Sequence, residues 1–214
     1  MPRPRKVSDA DVFAAAHRLM HRVGPADFTL EEIAREAGVT AGALVQRFGS
    51  KRDLMVALSA EAVEATSSFL DELRRTHSSP LGALRTYADC MAGLAQSPDA
   101  FVRNLAYLQG DLSDPGLRLQ LERQARLTRA GLESLIKAAV KAGELESDTK
   151  PKALAKLVEA VLSGSLMTWV FYRETTAGTW MRRDLDTLLR PYVARRGSAR
   201  GPRTLHRRRK PGDI

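Results

Sequence analysis

Apolar residues recur along the chain at spacings of three and four positions, the period that places them on one side of an α-helix. No segment shows the strict alternation of a half-buried strand. Between Ser8 and Ala194 the pattern predicts about nine helices, separated by Gly and Pro residues that end one helix or begin the next. The 214-residue chain is therefore expected to be all-α, with three short N-terminal helices followed by a larger helical bundle. The helices are expected over about 9–23, 30–37, 41–48 and 51–75, then from Pro80, Pro98, Pro115 and Pro151, and finally after Thr179.

Local capping signals delimit the three short helices. In a capping box, a Ser or Thr side chain accepts the backbone N–H three residues on, and the side chain at that position bonds back. Three pairs have this spacing: Ser8 with Asp11, Thr29 with Glu32, and Ser50 with Asp53. Gly38 directly follows the second helix, where left-handed backbone is favoured.

The second and third helices, joined by residues 37–40, form a helix-turn-helix pattern. This pattern suggests a division of the chain into three parts. They are a helix-turn-helix domain with a basic N-terminal arm at 1–50, a bundle at 51–194 and a basic tail at 195–214.

The third predicted helix has an outward face suited to DNA. If Leu44 and Phe48 point inward, the rotation of about 100° per residue turns the opposite side of this helix outward. The outward and flanking positions are Gly42, Val45, Gln46 and Arg47. Small residues permit close approach to a major groove, and Gln or Arg can read base edges. The alternative interpretation is a solvated face on a packed three-helix domain.

Two adjacent cations favour the DNA interpretation. Lys51 and Arg52 fall in the first turn of the fourth helix, where the helix dipole disfavours positive charge. A DNA phosphate held there by Lys51 and by free backbone N–H groups would compensate this cost.

The remaining charge lies mostly at the chain ends. The formal net charge is +9, from 34 Lys and Arg against 25 Asp and Glu. The tail contributes most of it, and a tail of this composition is expected to be disordered. It is equally consistent with nucleic-acid contacts and with a role in solubility. The N-terminal arm carries Arg3, Arg5 and Lys6, which could add phosphate or minor-groove contacts or could be an uninvolved terminus.

The string from Phe28 to Leu54 resembles the DNA-binding domain of TetR/AcrR-family transcriptional regulators. The resemblance rests on Ile-Ala-x-x-Ala-Gly-Val-Thr from Ile33, the Leu and Phe of the third helix, and Ser-Lys-x-x-Leu from Ser50. It implies a helical ligand-binding bundle up to about residue 194. It further implies phosphate contacts from Thr29, Thr40 and Lys51, and base-facing positions at Ala41, Gly42 and Gln46. Where the family usually has an aromatic residue, this chain has Val45, which could instead contact a thymine methyl group.

The last two predicted helices each have a wide apolar face. Together these faces are larger than one core requires, so we expect a homodimer interface made of two helices from each subunit. The family resemblance implies the same arrangement. A dimer would bind palindromic double-stranded operator DNA, with its recognition helices about one DNA turn or a multiple of one apart. The expected interface residues are Leu162, Leu166, Leu185, Leu188, Leu189 and Tyr192.

The resemblance also implies a small-molecule effector inside the bundle. Large or polar residues on or beside apolar faces are candidates to line its pocket: Met91, Phe101, Tyr107, Gln124 and Trp169. Each could equally be plain core or surface. The function expected is a transcriptional regulator, by default a repressor, released from its operator by that effector. The alternative is a helical ligand-binding or adaptor module whose helix-turn-helix is only structural.

The sequence offers little support for catalysis or for a metal or cofactor site. The His residues show no ligand pairing with carboxylates, and no G-x-S-x-G, P-loop or dinucleotide motif occurs. The single cysteine, Cys90, excludes an internal disulfide and a cysteine-cluster metal site, and it is expected in the core. The sequence therefore predicts no enzyme activity, no cofactor and no metal. Without a long apolar run or a signal peptide, a cytoplasmic protein with no membrane contact is expected.

Overall fold

The computed structural model describes residues 7–23, 28–93, 95 and 97–194, and these residues form helices joined by short loops. The all-α prediction is confirmed, since the described residues contain no strand beyond an isolated bridge between Leu145 and Val193. The helices are α1 Asp9–Val23, α2 Leu30–Ala37, α3 Ala41–Phe48, α4 Lys51–Thr76, α5 Pro80–Gly93, α6 Pro98–Ser113, α7 Pro115–Lys141, α8 Pro151–Tyr172 and α9 Ala177–Leu189, followed by a 3-10 turn at Arg190–Tyr192.

The predicted caps form, which explains why the bounds of the short helices match the prediction. The Thr29 backbone N–H donates to the Glu32 carboxylate at 2.7 Å, and the Glu32 N–H donates to Thr29 Oγ1 at 3.2 Å. Gly38 has a φ of 72°, the left-handed conformation that glycine adopts without a steric cost. The same reciprocal bonds join Ser8 to Asp11.

The start of α9 differs from the prediction. The helix begins at Ala177 rather than after Thr179. Thr176 Oγ1 accepts the Thr179 N–H at 3.2 Å, so the cap lies upstream of the Thr and Gly residues that suggested a loop.

The chain builds two hydrophobic cores, and α4 belongs to both. The first core packs α1, α2 and α3 against the start of α4, through Leu54, Met55 and Leu58. The second core packs the end of α4, at Leu70 and Leu73, against α5, α7, α8 and α9. The predicted domain boundary at residue 50 therefore moves into α4, because the first turns of this helix pack with the helix-turn-helix domain.

Four of the six residues predicted for a subunit interface are buried within their own subunit. Leu162, Leu166, Leu185 and Leu189 are at most 4% exposed and pack in the second core. The interface prediction is wrong for these four, because α8 and α9 turn their leucine faces toward each other and toward α5 and α7. Leu188 and Tyr192 are partly buried at the edge of the same core.

The helix α8 has the length and composition of a membrane-spanning segment, with a mean hydropathy of 1.4 in its most apolar window. Among the described helices it is the one that passes this test. Its face around Leu154, Val158 and Leu162 is buried against other helices of the bundle, as in the core helix of a folded domain.

A two-pronged ion pair joins the first turn of α4 to the first turn of α7. Arg52 Nε and Nη2 donate to the two Asp114 carboxylate oxygens at 2.5 and 2.9 Å. Asp114 also caps α7 by accepting the N–H groups of Gly116 and Leu117 at 2.8 and 3.1 Å. A Cβ on Gly116 would lie 3.1 Å from the Arg52 guanidinium and 3.2 Å from Val56, so the two helices meet closely here.

The pair shifts the pKa of both side chains. The hydrogen bond from Arg52 is the largest cause that lowers the pKa of Asp114, and the hydrogen bond from the Leu117 N–H adds to it. The pKa of Arg52 is raised by the same partner. A carboxylate with a lowered pKa stabilises the fold above its ordinary pKa, and this stabilisation is lost as the pH falls through the lowered value.

We expect Asp114→Asn to lower the urea midpoint of unfolding at pH 7, because Asn still caps α7 but cannot pair with the Arg52 charge. The difference from wild type should stay constant down to the ordinary pKa range of a carboxyl group and shrink below it. Asp148→Asn, in the exposed loop before α8, is the control and should leave the midpoint unchanged. Equal midpoints for Asp114→Asn and wild type at pH 7 would contradict a stabilising pair.

Candidate nucleic-acid interface

The helix α3 is held by one buried residue and presents its other side to solvent. Leu44 is buried in the first core, and the Phe48 ring packs on the Phe13 ring with centroids 5.8 Å apart. Val45 is 50% exposed, and Gly42 and Gln46 are also exposed. The exposed side therefore contains the small and polar residues that the sequence places there.

The N-terminus of α3 is open to an anion. Thr40 caps it, since Thr40 Oγ1 accepts the Ala43 N–H at 3.1 Å. The first turn carries no acidic residue, so no carboxylate of that turn competes for the backbone N–H groups of Ala41 and Gly42. Helix N-termini of this kind bind phosphate through their N–H groups and the helix dipole.

The N-terminus of α2 differs, because its capping box already places a carboxylate there. The Thr29 hydroxyl and N–H both donate to the Glu32 carboxylate, at 3.2 and 2.7 Å. These bonds from Thr29 are the main cause that lowers the pKa of Glu32. A phosphate at Thr29 would have to compete with this anion.

Lys51 and Arg52 point to different partners. Lys51 Nζ donates to the Phe28 backbone oxygen at 2.5 Å and lies 4.3 Å from the centroid of the Phe28 ring. It therefore joins the start of α4 to the start of α2, next to two helix N-termini. Arg52 turns away to Asp114 on the bundle. Both contacts offset the cost of a cation in the first turn of a helix, and only Lys51 stays with the helix-turn-helix domain.

Arg47 attaches the start of the chain to α3. Its Nη1 donates to the Val7 backbone oxygen at 2.9 Å, and its Nε forms an ion pair with Asp9. The side chain predicted to flank the base-reading face thus contacts Val7, the first described residue, and the start of α1. The arm residues Arg3, Arg5 and Lys6, like the tail at 195–214, lie outside the described residues.

The residues predicted to line an effector pocket do not form one cluster. Met91 and Phe101 are partly buried against the second core, and Trp169 is buried in that core, with Nε1 donating to the Thr175 oxygen at 2.7 Å. Gln124 lies elsewhere, on α7 facing α4, where its Nε2 donates to Thr66 Oγ1 at 3.0 Å. The side chain of Tyr107 lies outside the part of the chain that the structure describes.

The middle stretches of α4 and α7 contain few buried residues, although the two helices pack closely against each other. Along α4, Val63 is the one buried residue between Leu58 and Leu70, and α7 has none between Gln120 and Leu132. A polar side chain that is buried in this stretch therefore lies at the contact between the two helices. We call this stretch, α4 residues 59–69 with α7 residues 120–131, the interval.

Two polar side chains in this region, Gln120 and Tyr87, were not among the candidates that the sequence suggested. Gln120 is 9% exposed, and its Oε1 is buried without a hydrogen-bond partner. Tyr87 is buried, which raises the pKa of its hydroxyl to about 12; the charge of Glu159 adds to this rise, and a Thr128 hydrogen bond opposes it. The helical spacing of Gln120 and Gln124 could have pointed to Gln120, but a buried Gln and a solvated one have the same sequence signal.

The described residues contain no group of three or more His, Cys, Asp or Glu side chains that could hold a metal ion. Cys90 is exposed on α5, which corrects its predicted place in the core. Its neighbours Tyr87, Ala88 and Ala92 take the buried positions of that helix instead.

Comparison with known proteins identifies both domains. A family model described as bacterial regulatory proteins of the tetR family matches residues 12–58, and one described as a tetracyclin repressor-like C-terminal domain matches residues 104–185. The HTH-type transcriptional regulator TtgR of Pseudomonas putida is 23% identical over 193 residues, which cover 84% of this chain and 90% of TtgR.

Solved structures show the same fold. A TetR transcription regulator from Haloarcula marismortui superposes with a TM-score of 0.71 at 17% identity, covering 86% of this chain and 97% of that one. SmeT, the repressor of the Stenotrophomonas maltophilia multidrug efflux pump SmeDEF, superposes with a TM-score of 0.63 at 23% identity, covering 90% of this chain and 93% of SmeT. Because the two family models match the two domains that α4 joins, the chain belongs to the TetR family of DNA-binding transcriptional regulators.

Proposed function

We propose that this regulator is a cytoplasmic, non-enzymatic repressor that binds a palindromic operator as a homodimer and leaves it when a small effector enters the bundle. The observation that carries the DNA-binding part is the exposed side of α3, where Gly42, Val45 and Gln46 lie beside an N-terminus without acidic residues. The effector part is supported by the buried Gln120 Oε1, which has no hydrogen-bond partner, and by relatives. SmeT is a repressor that has been solved with triclosan, and FadR of Thermus thermophilus is one solved with lauroyl-CoA.

Each residue of the interface has a distinct role in this proposal. Thr40 and Lys51 bind phosphates, which positions the domain on the duplex without reading sequence. Ala41 and Gly42 let the start of α3 approach the base edges closely. Gln46 reads a base, and an adenine is the one that Gln recognises with two hydrogen bonds.

Val45, Arg47 and Thr29 complete the interface in other ways. Val45 contacts a thymine methyl group, in place of the aromatic phosphate contact that is usual in the family. Arg47 holds Val7 through a hydrogen bond to its backbone oxygen. Thr29 shapes the N-terminus of α2, since its polar groups serve the capping box.

The homodimer is proposed through an exposed face of α8 rather than through its buried leucines. Leu157 is 43% and Phe171 72% exposed, and these two residues are spaced by whole heptads with Gly164 between them. Nothing lies within 4 Å of the position that a Gly164 side chain would take, so a second α8 can approach closely there. Exposed apolar faces of this size are typical of subunit interfaces.

The adjacent cations Lys51 and Arg52 give a matched test of DNA binding. We expect Lys51→Gln to weaken binding to any duplex and to reduce the slope of log K against log salt by about 0.9 per subunit, since one phosphate contact is lost. Arg52→Gln removes the same charge one residue away and should keep the wild-type slope, because Arg52 faces Asp114. The measurement is fluorescence anisotropy with one labelled duplex at several salt concentrations.

Two results would contradict the proposal. Equal slopes for Lys51→Gln and wild type would remove Lys51 from the phosphate contacts. A wild-type chain that binds no duplex even at low salt would favour the helical ligand-binding or adaptor module instead.

For the dimer, we expect Leu157→Asp with Phe171→Asp to give folded monomers, because two charges would be buried in the interface of the assembled protein. Leu108→Asp, an exposed leucine on α6, is the control and should leave the dimer intact. Light scattering measures the mass and circular dichroism checks the helices. A monomeric wild type at micromolar concentration, or a double variant that stays dimeric, would refute this interface.

A further inference from the structure

Gln120 is the unusual side chain of the interval. It lies in the second turn of α7, is nine-tenths buried, and its Oε1 has no hydrogen-bond partner. A buried acceptor without a partner destabilises a fold, because it has lost its hydrogen bonds to water and gained none. A polar side chain kept at such a cost in a binding protein points to a partner that arrives from outside.

The contacts on either side of Gln120 place it between α4 and α7. Nearer the DNA-binding domain, Gly116 of α7 lies against Arg52 and Val56 of α4. One turn beyond Gln120, Gln124 bonds to Thr66 of α4. Gln120 therefore lies between two points at which these helices are joined, in the stretch where α4 has Val63 as its one buried residue.

Gln120 is one of three neutral polar side chains in a row on the inner side of α7. Gln120, Gln124 and Thr128 are spaced four residues apart, so they lie one above another. Gln124 is paired with Thr66, and Thr128 is paired with the hydroxyl of Tyr87. Tyr87 is un-ionised at neutral pH, as a tyrosine with its ordinary pKa is, and burial raises its pKa further, to about 12.

The chemistry of this row selects the kind of ligand. Amide and hydroxyl groups can satisfy the hydrogen bonds of a neutral molecule, but they do not neutralise a carboxylate or a phosphate. Near the end of α6, burial raises the pKa of Asp111, and the negative charge of Asp114 adds to this rise. The aromatic and thioether side chains of Phe69, Met91 and Phe101 are partly buried against the second core and suit an apolar body.

We propose that Gln120 Oε1 accepts a hydrogen bond from the effector, and that the effector is a neutral, mainly apolar molecule with a hydroxyl group, such as an alkylated phenol. The inference rests on the effector part of the proposed function and names its ligand class. A molecule bound at Gln120 lies between α4 and α7, directly above the Arg52–Asp114 pair, so it separates the two helices where they are tied to the DNA-binding domain.

The test compares two probes that differ by one hydrogen-bond donor, 4-hexylphenol and its methyl ether, on the full-length chain by calorimetry. Wild type should bind the phenol about tenfold more tightly than the ether, the ratio expected for one buried hydrogen bond. In Gln120→Met the ratio should fall to about one. Arg123→Met, on the exposed side of α7 one turn from Gln120, is the control and should keep the wild-type preference.

Thermal unfolding of the ligand-free variants supplies a second readout. Gln120→Met should unfold at the wild-type temperature or higher, since it removes an unpaired acceptor. Gln124→Met should unfold at a lower temperature, since it breaks the bond to Thr66.

Several outcomes would overturn the inference. They are a wild type that binds neither probe, a methyl ether that binds wild type as tightly as the phenol, and a Gln120→Met variant that keeps the preference or is less stable than wild type. Duplex binding by the ligand-free chain is measured separately. If that binding fails while the phenol preference depends on Gln120, the DNA-binding proposal is wrong and the ligand site stands.

Discussion

The helix α4 is part of both hydrophobic cores, and the rest of the structure depends on this sharing. Its first turns pack beneath α3 through Leu54, Met55 and Leu58, while Leu70 and Leu73 pack in the bundle. Its 26 residues span about 39 Å at 1.5 Å per residue. Because α4 is continuous, any displacement of its bundle half moves the residues that support the recognition helix.

The Arg52–Asp114 pair determines how that movement is transmitted. It joins the first turn of α4 to the cap of α7, one residue from Lys51 and its contact with Phe28. Lys51 and Arg52 are adjacent cations in the sequence, but they contact different domains. Arg52 contacts the bundle, and Lys51 contacts Phe28, which precedes α2. The interval lies next to this junction, along the same two helices. In the proposed function, this junction couples ligand binding to DNA binding.

Local signals made the helices predictable, whereas contacts between distant residues did not show in the sequence. Capping boxes and Gly38 define the short helices because their partners lie three or four residues apart. The 100° rotation per residue placed Val45 and Gln46 outward once Leu44 was taken as buried. Arg52 and Asp114 are 62 residues apart, and no periodicity relates two such positions.

The wrong predictions have the same physical origin. An apolar helix face packs equally well against its own chain and against a second subunit, so the pattern alone assigned Leu162 and Leu185 to the wrong contact. A helix that continues through two cores carries no break in composition, which is why the boundary at residue 50 fell before α4. The orphaned acceptor of Gln120 depends on what surrounds it and is visible only in the folded chain.

The most direct test of the account is selection of bound sites from random duplex DNA by the wild-type chain and by Gln46→Ala. Wild type should enrich a two-fold symmetric motif, with half-sites about one helical turn apart or a multiple of it. Gln46→Ala should enrich the same motif with relaxed preference at one base pair in each half-site, a loss of about 1–3 kcal/mol of discrimination. Enrichment of no motif by wild type, or of an asymmetric one, would contradict a symmetric repressor that reads DNA with α3.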